Sequence, residues 1–209
     1  MRLTPEIIKQ KLAKPLPGIV SHLKMAPVDR VNELQQLKDY RNSARKSGVM
    51  ILLFPENNTL KVIFIRRSTY VGIHAGQIAF PGGSYEENDI TTEKTAYREI
   101  EEEIGIPSGK IEIVGQLTDM YAQASNFLIS VFVGYLSERP ELKAQEREVD
   151  DIFTVDIDAF LLPEVIQTKE FKVQTTDIPI KAPYYNVDGI EIWGASAMVM
   201  AELLDMIID

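Results

Sequence analysis

The chain contains no cysteine, which removes disulfides, thiolate zinc sites, iron–sulfur clusters and cysteine nucleophiles together. It has only two histidines, His22 and His74, so a metal site built from several imidazoles is excluded as well. No apolar run reaches the roughly 20 residues that cross a bilayer. The opening residues, MRLTPEIIKQKLAK, lack the apolar stretch of a signal peptide, so the expectation is a cytoplasmic protein with no membrane partner. Positive charge is scarce too. Lys and Arg number 22 against 31 Asp and Glu, a net charge of −9, which argues against a basic nucleic-acid binder. What remains is plentiful carboxylate and a 45% share of hydrophobic residues over 209 positions, enough for a sizeable core. Any metal must be held mainly by oxygen, and carboxylates favour a hard ion such as Mg2+ or Mn2+.

Residues 1–14 and 29–46 carry charged and apolar residues at helical spacing, broken by Pro15-Leu16-Pro17-Gly18. They read as an N-terminal helical extension over 1–46, ahead of a main domain over 47–209. From Gly48 the pattern changes. VMILLF at 49–54, PENNT at 55–59 and LKVIFIRRS after it read as a β-hairpin. The glycine-rich stretch 72–83, GIHAGQIAFPGG, is expected to hold one short strand ending in a turn. A helix follows over 91–104, capped by Thr91 or Thr92 and ended by Gly105 and Pro107. KIEIVGQL, FLISVFVGYL and IFTVDI read as strands, with a polar connection over 144–151. PYYNVDGIEIWG reads as a hairpin feeding a last helix over 195–208. Strands interleaved with helices give an α+β domain with a mixed β-sheet.

The segment Arg98-Glu99-Ile100-Glu101-Glu102-Glu103-Ile104-Gly105 carries the chemistry. At about 100° per residue, with Glu99 set at zero, Glu102 falls near −60° and Glu103 near +40°. Three carboxylates thus share one face, one turn apart, beside the apolar stripe of Ala96, Tyr97, Ile100 and Ile104. Glu99 and Glu103 form a like-charge pair four apart, which costs roughly 0.2–0.5 kcal/mol until a cation reverses its sign. Just ahead stands Phe80-Pro81-Gly82-Gly83, where paired glycines let the backbone approach a ligand closely.

Gly83 to Ile106 resembles the Nudix box, and its ending, Arg-Glu-apolar-x-Glu-Glu-x-Gly-apolar, is matched at every position from Arg98 to Ile106. The stretch from Gly83 to Arg98 is one residue longer than the usual box. Asp89 then stands in for the mid-box Glu. The same expansion is typical of the coenzyme A diphosphatase branch. Arg67, Ser68, Gly76 and Phe80-Pro81-Gly82-Gly83 are similar to that branch's signature ahead of the box, whereas Ile65 and Gly72 replace its Thr and second Arg. Ile192-Trp193-Gly194-Ala195-Ser196-Ala197 also looks like its C-terminal strand-to-helix junction.

The resemblance implies an α/β/α sandwich and metal-dependent hydrolysis of a nucleoside diphosphate linked to another group. It implies Glu99, Glu102, Glu103 and the Gly83 carbonyl as ligands of Mg2+ or Mn2+, with Arg98 orienting a glutamate. Geometrically, Arg98 and Glu102 are i,i+4 neighbours, though a plain surface ion pair would look the same. For the general base, Glu146 and Glu148 lie in a later loop. Glu148 is favoured because Val149 ties it to the sheet, and the alternative for both is a solvated loop. Arg67, His74, Gln77 and Gly82 are candidate substrate contacts. Arg67 could equally pair with an acid at a strand end, His74 could be structural, and Trp193 could stack on a base or anchor the core. Three functions stay open. The first is hydrolysis of coenzyme A or acyl-coenzyme A to 3′,5′-ADP and 4′-phosphopantetheine. The second is a diphosphatase for ADP-ribose or another nucleoside diphosphate derivative. The third is a non-catalytic nucleotide sensor, which has no need of the acid cluster. The expected partner is a small nucleotide, not a nucleic acid. The N-terminal helices are candidates for covering the substrate cleft or for a homodimer contact.

Overall fold

The computed structural model describes residues 3–27, 43–69, 74–173 and 176–208. The hairpin signal at 49–67 becomes β1 (Arg45–Glu56) and β2 (Thr59–Arg67), with Glu56 opposite Thr59. Asn57 and Asn58, at φ 49° and 64°, make the two-residue turn. Both central positions need the left-handed region that Asn tolerates, and such turns match the twist of the strands they join.

Eight of the described strands form one mixed sheet around β1. Besides β1 and β2 it contains β3 (Ile78–Ala79), β4 (Gly82–Ser84), β5 (Glu112–Gln116), β6 (Met120–Ala122), β7 (Phe127–Tyr135) and β8 (Val149–Asp156). β7 runs parallel to β1, from Arg45 opposite Phe127 to Leu53 opposite Tyr135. On its other side β1 pairs antiparallel with β4 at Ser47–Val49 and with β2 beyond Leu53. β8 and β3 pair with β2, so β3 is a short edge strand.

The strands alternate apolar residues to both faces, and both faces are covered. One face sets Met50, Leu52, Phe54, Ile63 and Ile65 against Ala96, Ile100 and Ile104 of the box helix. The other sets Ile51, Leu53, Val62 and Phe64 against Ala197 to Ile207. Four helical pieces supply these layers: α1 (Pro5–Leu12), α2 (Ile19–His22), α3 (Thr92–Ile104) and α4 (Gly194–Ile207). The result is an α/β/α sandwich. No helix of the described residues is long and apolar enough to cross a membrane.

Three sequence expectations need correction. The helix expected over 29–46 lies mostly outside the described residues, but Arg45 and Lys46 open β1 instead of closing a helix. Their backbone is claimed by the β7 ladder, and the Arg45 guanidinium sits 4.0 Å over the Phe127 ring. Pairing of this kind overrides a local charge spacing. The stretch 78–84 holds two short strands instead of one, because Gly82–Ser84 lies against β1. A second sheet, β9 (Ile166–Val173), β10 (Thr176–Val187) and β11 (Ile190–Trp193), is antiparallel with β10 central, and only its last hairpin was expected.

The N-terminal pieces belong to the same core. Ile8, Leu12 and Met25 pack with α4 on the face opposite α3. Glu202 of α4 is fully buried and accepts hydrogen bonds from Gly18 N (3.1 Å), Thr118 N (3.2 Å), Thr118 Oγ1 (2.6 Å) and His22 Nε2 (2.8 Å). These helices therefore sit away from the box helix and do not cover it.

Candidate active site

α3 begins where the sequence says it should. Thr91 Oγ1 accepts from Lys94 N at 3.2 Å, and Gly105, at φ 76°, closes the far end in the left-handed conformation. Four carbonyls at the end of a helix have no partner within it. Here Lys143 N donates to Ile104 O and Gln145 N to Glu103 O, both at 3.0 Å. Those bonds staple the 143–149 connection to the end of α3. Ser68 N holds Glu148 O at 2.8 Å, and buried Val149 enters β8. Glu148 is thereby brought to the acid face of α3, some 45 residues further along the chain.

Glu99, Glu103 and Glu148 each offer a carboxylate oxygen, and the three oxygens lie within 4.8 Å of one another. Glu102 is placed differently. It is 58% exposed on the outer side of the turn, and its carboxylate accepts from Arg98 Nη1 at 3.0 Å. The helical wheel explains the split, since Glu102 lies on the side of Glu99 away from the apolar stripe. Glu146 is exposed and outside the cluster.

Arg98 has every N–H engaged. Nε and Nη2 form a fork to Asp89 Oδ1 (2.9 Å) and Oδ2 (3.1 Å), Nη1 donates to Glu99 (2.9 Å) and Glu102, and Nη2 donates to Ser84 O (3.0 Å). Asp89 also accepts from Glu86 N and Thr95 Oγ1, both at 2.9 Å. The Arg98 hydrogen bonds hold its carboxyl down to about 2.

Gly82 and Gly83 bring backbone against the acids. A Cβ on Gly83 would collide with the Glu99 carboxylate, and one on Gly82 would strike the β1 backbone. Gly82 N donates to Glu103 at 2.9 Å, and Gly82 O accepts from Arg67 at 3.3 Å, so both of its polar groups are used within the protein. Gly83 O accepts from Ser47 Oγ at 2.6 Å. Ser47 is buried and was not singled out from sequence, where nothing distinguishes it from any serine entering a strand. Arg67 Nη1 is 3.5 Å from Glu103, with the side chain 30% exposed. His74 Nδ1 donates to Gln77 Oε1 at 3.0 Å, and burial pushes the imidazole below its ordinary value.

The cluster's electrostatics suit a cation. Burial pushes Glu103 up to about 8, with Glu99 and Glu148 adding to the rise and Arg67 and Gly82 N opposing it. Burial raises Glu99 as well, against the pull of Arg98. Without a ligand these carboxyls resist sharing their charge. A divalent ion would offset both the desolvation and the repulsion, displacing the protons. The donor set is all oxygen, as Mg2+ and Mn2+ require. A cleft of about 250 Å3 lined by Arg66, Gln77 and Trp193 opens elsewhere, beside the second sheet.

Comparison with known proteins identifies the family. The NUDIX domain family model matches residues 44–174. Nudix hydrolase 3 of Caenorhabditis elegans is 28% identical over 174 residues, covering 77% of this chain and 72% of that protein. The peroxisomal coenzyme A diphosphatase NUDT7 of Mus musculus is 30% identical over 128 residues, 61% of this chain and 54% of the mouse protein. The match thus spans about half the mouse enzyme's length. A MutT/nudix family protein from Enterococcus faecalis superposes with a TM-score of 0.52 at 15% identity, covering 94% of this chain and 76% of that one.

Proposed function

The chain belongs to the NUDIX domain family, and from that premise we propose that it hydrolyses the diphosphate linkage of coenzyme A or an acyl-coenzyme A, giving 3′,5′-ADP and 4′-phosphopantetheine. The observation that carries the reaction is the convergence of Glu99, Glu103 and Glu148 beside Gly82–Gly83. The resemblance ahead of the box and the mouse coenzyme A diphosphatase among the relatives support the substrate.

In this reading Glu99 and Glu103 would hold Mg2+ or Mn2+, with Glu102 and the Gly83 carbonyl adjoining and Glu148 beside them. The bound ion would polarise a phosphoryl oxygen and acidify a water. The chain's own residues do the rest. Asp89 locks Arg98, and Arg98 fixes the carboxylates of Glu99 and Glu102. Ser47 fixes the Gly83 carbonyl. Glu148, the solvent-exposed member of the cluster, takes the proton from the attacking water. Arg67 turns its exposed guanidinium edge to a phosphate, since the planar fork suits phosphate oxygens. His74 and Gln77 form a hydrogen-bonded pair next to Arg67, whose backbone N–H donates to Gln77 O, and Gly82 serves through its lack of a side chain. Ile65 and Gly72, where the branch signature has Thr and Arg, favour a second reading with the same chemistry on ADP-ribose or another nucleoside diphosphate derivative.

The test is incubation of the protein with coenzyme A or ADP-ribose and Mg2+ or Mn2+, with products identified by mass spectrometry. Release of 3′,5′-ADP and 4′-phosphopantetheine is expected. Cleavage of ADP-ribose alone would replace the first reading by the second. No turnover of either, with the fold intact, would favour a sensor. Glu103→Gln is expected to lower kcat by about 100-fold or more, with an unchanged far-ultraviolet circular dichroism spectrum. Near-normal turnover in that variant would remove Glu103 from the reaction.

A further inference from the structure

Arg66 and Arg67 are neighbours on β2, so their side chains leave the sheet on opposite faces. Arg67 turns to Glu103 beneath α3. Arg66 lies on the other face, its guanidinium carbon 5.2 Å from the centre of the Phe153 ring, which packs with the α4-side core. There the cleft of about 250 Å3 opens between edge strand β3 and the three-stranded sheet, walled by Arg66, Gln77, Phe171, Lys172, Glu191 and Trp193. None of the acidic cluster lines it.

Two features of this cleft stand out. The first is charge. Glu191 is taken by Lys169, and neither Arg66 nor Lys172 has a carboxylate partner among the described residues. Arg66 from one sheet and Lys172 from the other both line this cleft, in a chain of net charge −9. Guanidinium and ammonium donors both suit phosphate oxygens. The second is the aromatic wall. The Trp193 indole lies parallel to Phe171, 4.3 Å between centroids and 10° between planes, so its orientation is fixed by packing. Trp193 is half-buried and lines the cleft together with Phe171. A rigid flat apolar surface beside two cations is complementary to a planar base joined to a phosphate. The cleft is lined by strand residues, by the 75–77 turn and by Gly189 of the Asp188–Gly189 turn, at φ 51° and 81°.

We propose that this cleft binds a nucleoside monophosphate, its phosphate between Arg66 and Lys172 and its base against Trp193, at a place separate from the acidic cluster. The only tryptophan of the chain reports on it directly. The full-length protein, in excess chelator so that no divalent ion can hold a phosphate at the acids, is titrated with AMP while tryptophan fluorescence is followed. A saturable change at submillimolar AMP is expected. The double variant Arg66→Gln, Lys172→Gln should need at least tenfold more AMP with an unaltered melting temperature, and adenosine should bind at least tenfold more weakly than AMP. Glu103→Gln should titrate like the wild type, which separates this site from the proposed hydrolytic one. No fluorescence change up to millimolar AMP would overturn the proposal. So would a double variant that titrates like the wild type, adenosine binding as tightly as AMP, or loss of the change in Glu103→Gln.

Discussion

Ile90 sits at φ 67° and ψ −43°, a region that a β-branched residue occupies only at a cost, and its side chain is 82% exposed. It immediately follows Asp89, in the stretch where the box is one residue longer than usual. The extra residue is absorbed here. Asp89 is fixed on both sides, by Glu86 N at its carboxylate and by Thr91 N at its carbonyl, so the chain must turn at position 90 to reach the helix cap. Strain of this kind is worth roughly 1–3 kcal/mol, of which glycine would return part to its own chain entropy. Ile90→Gly should therefore stabilise the protein by about 1 kcal/mol and raise the melting temperature by about 2–4 °C. A lower melting temperature would show that the side chain makes a contact worth more than the strain. The sequence showed that this loop was expanded, but not which residue carries the cost, because that depends on what holds its neighbours.

The box helix and the loop before it act as one element through Asp89 and Arg98. The five hydrogen bonds of Arg98 reach the loop, β4 and two glutamates of the helix. Asp89→Asn should lower kcat by about 10- to 100-fold through the misplaced Arg98, on the scale seen when groups that orient metal ligands are lost. The same pair sets a pH dependence. The folded-state carboxyl of Asp89 titrates at about 2 against an ordinary 3.8, so the stability it supplies is present above about pH 4 and is lost as pH falls toward 2. That difference corresponds to about 2 kcal/mol. In urea unfolding, the gap between wild type and Asp89→Asn should narrow as pH drops from 5 to 2.5. A gap independent of pH would show that Asp89 is not held as the anion. The approach of Arg98 to Glu102 was legible from their i,i+4 spacing. The approach of Glu148 was expected from Val149, which ties that loop to the sheet, but not the bonds from Lys143 N and Gln145 N to the α3 carbonyls that hold the loop there, because they join segments far apart in the chain.

At the scale of the whole molecule, buried Glu202 joins the N-terminal segment to the last helix. Burial alone would push its carboxyl up, but hydrogen bonds from His22, Thr118 and Gly18 together hold it below its ordinary value. Ser21 and Lys24 reach Asp205 one turn further on, reinforcing the same seam. Glu202→Ala would leave several buried donors without an acceptor and should cost about 3–5 kcal/mol. Residues 3–27 should then become the first site of limited proteolysis and lose amide protection ahead of the main sheet. Unchanged protection there would show that the apolar contacts of Ile8, Leu12 and Met25 suffice. From sequence this segment read as an extension, because the partner that makes it part of the core lies some 180 residues away.

The amino-acid sequence by itself determined the box helix, its caps, the acid face with its arginine, the Asn57-Asn58 hairpin and the exclusion of thiol and multi-imidazole chemistry. Each depends on residues within a turn or two of each other, where spacing and side-chain type are sufficient. Only the tertiary structure decided which carboxylates meet. It paired Glu99 and Glu103 with Glu148 and left Glu102 outside on Arg98, because the meeting is made by backbone groups of distant segments satisfying one another. It also decided the second sheet. β10 carries Pro179 and Pro183 within its 12 residues, which argues against a central strand on local grounds, yet β9 and β11 pair on either side of it. The cleft that places Arg66 and Lys172 around Trp193 exists only because that sheet closes against β3, a contact between segments that no local pattern links.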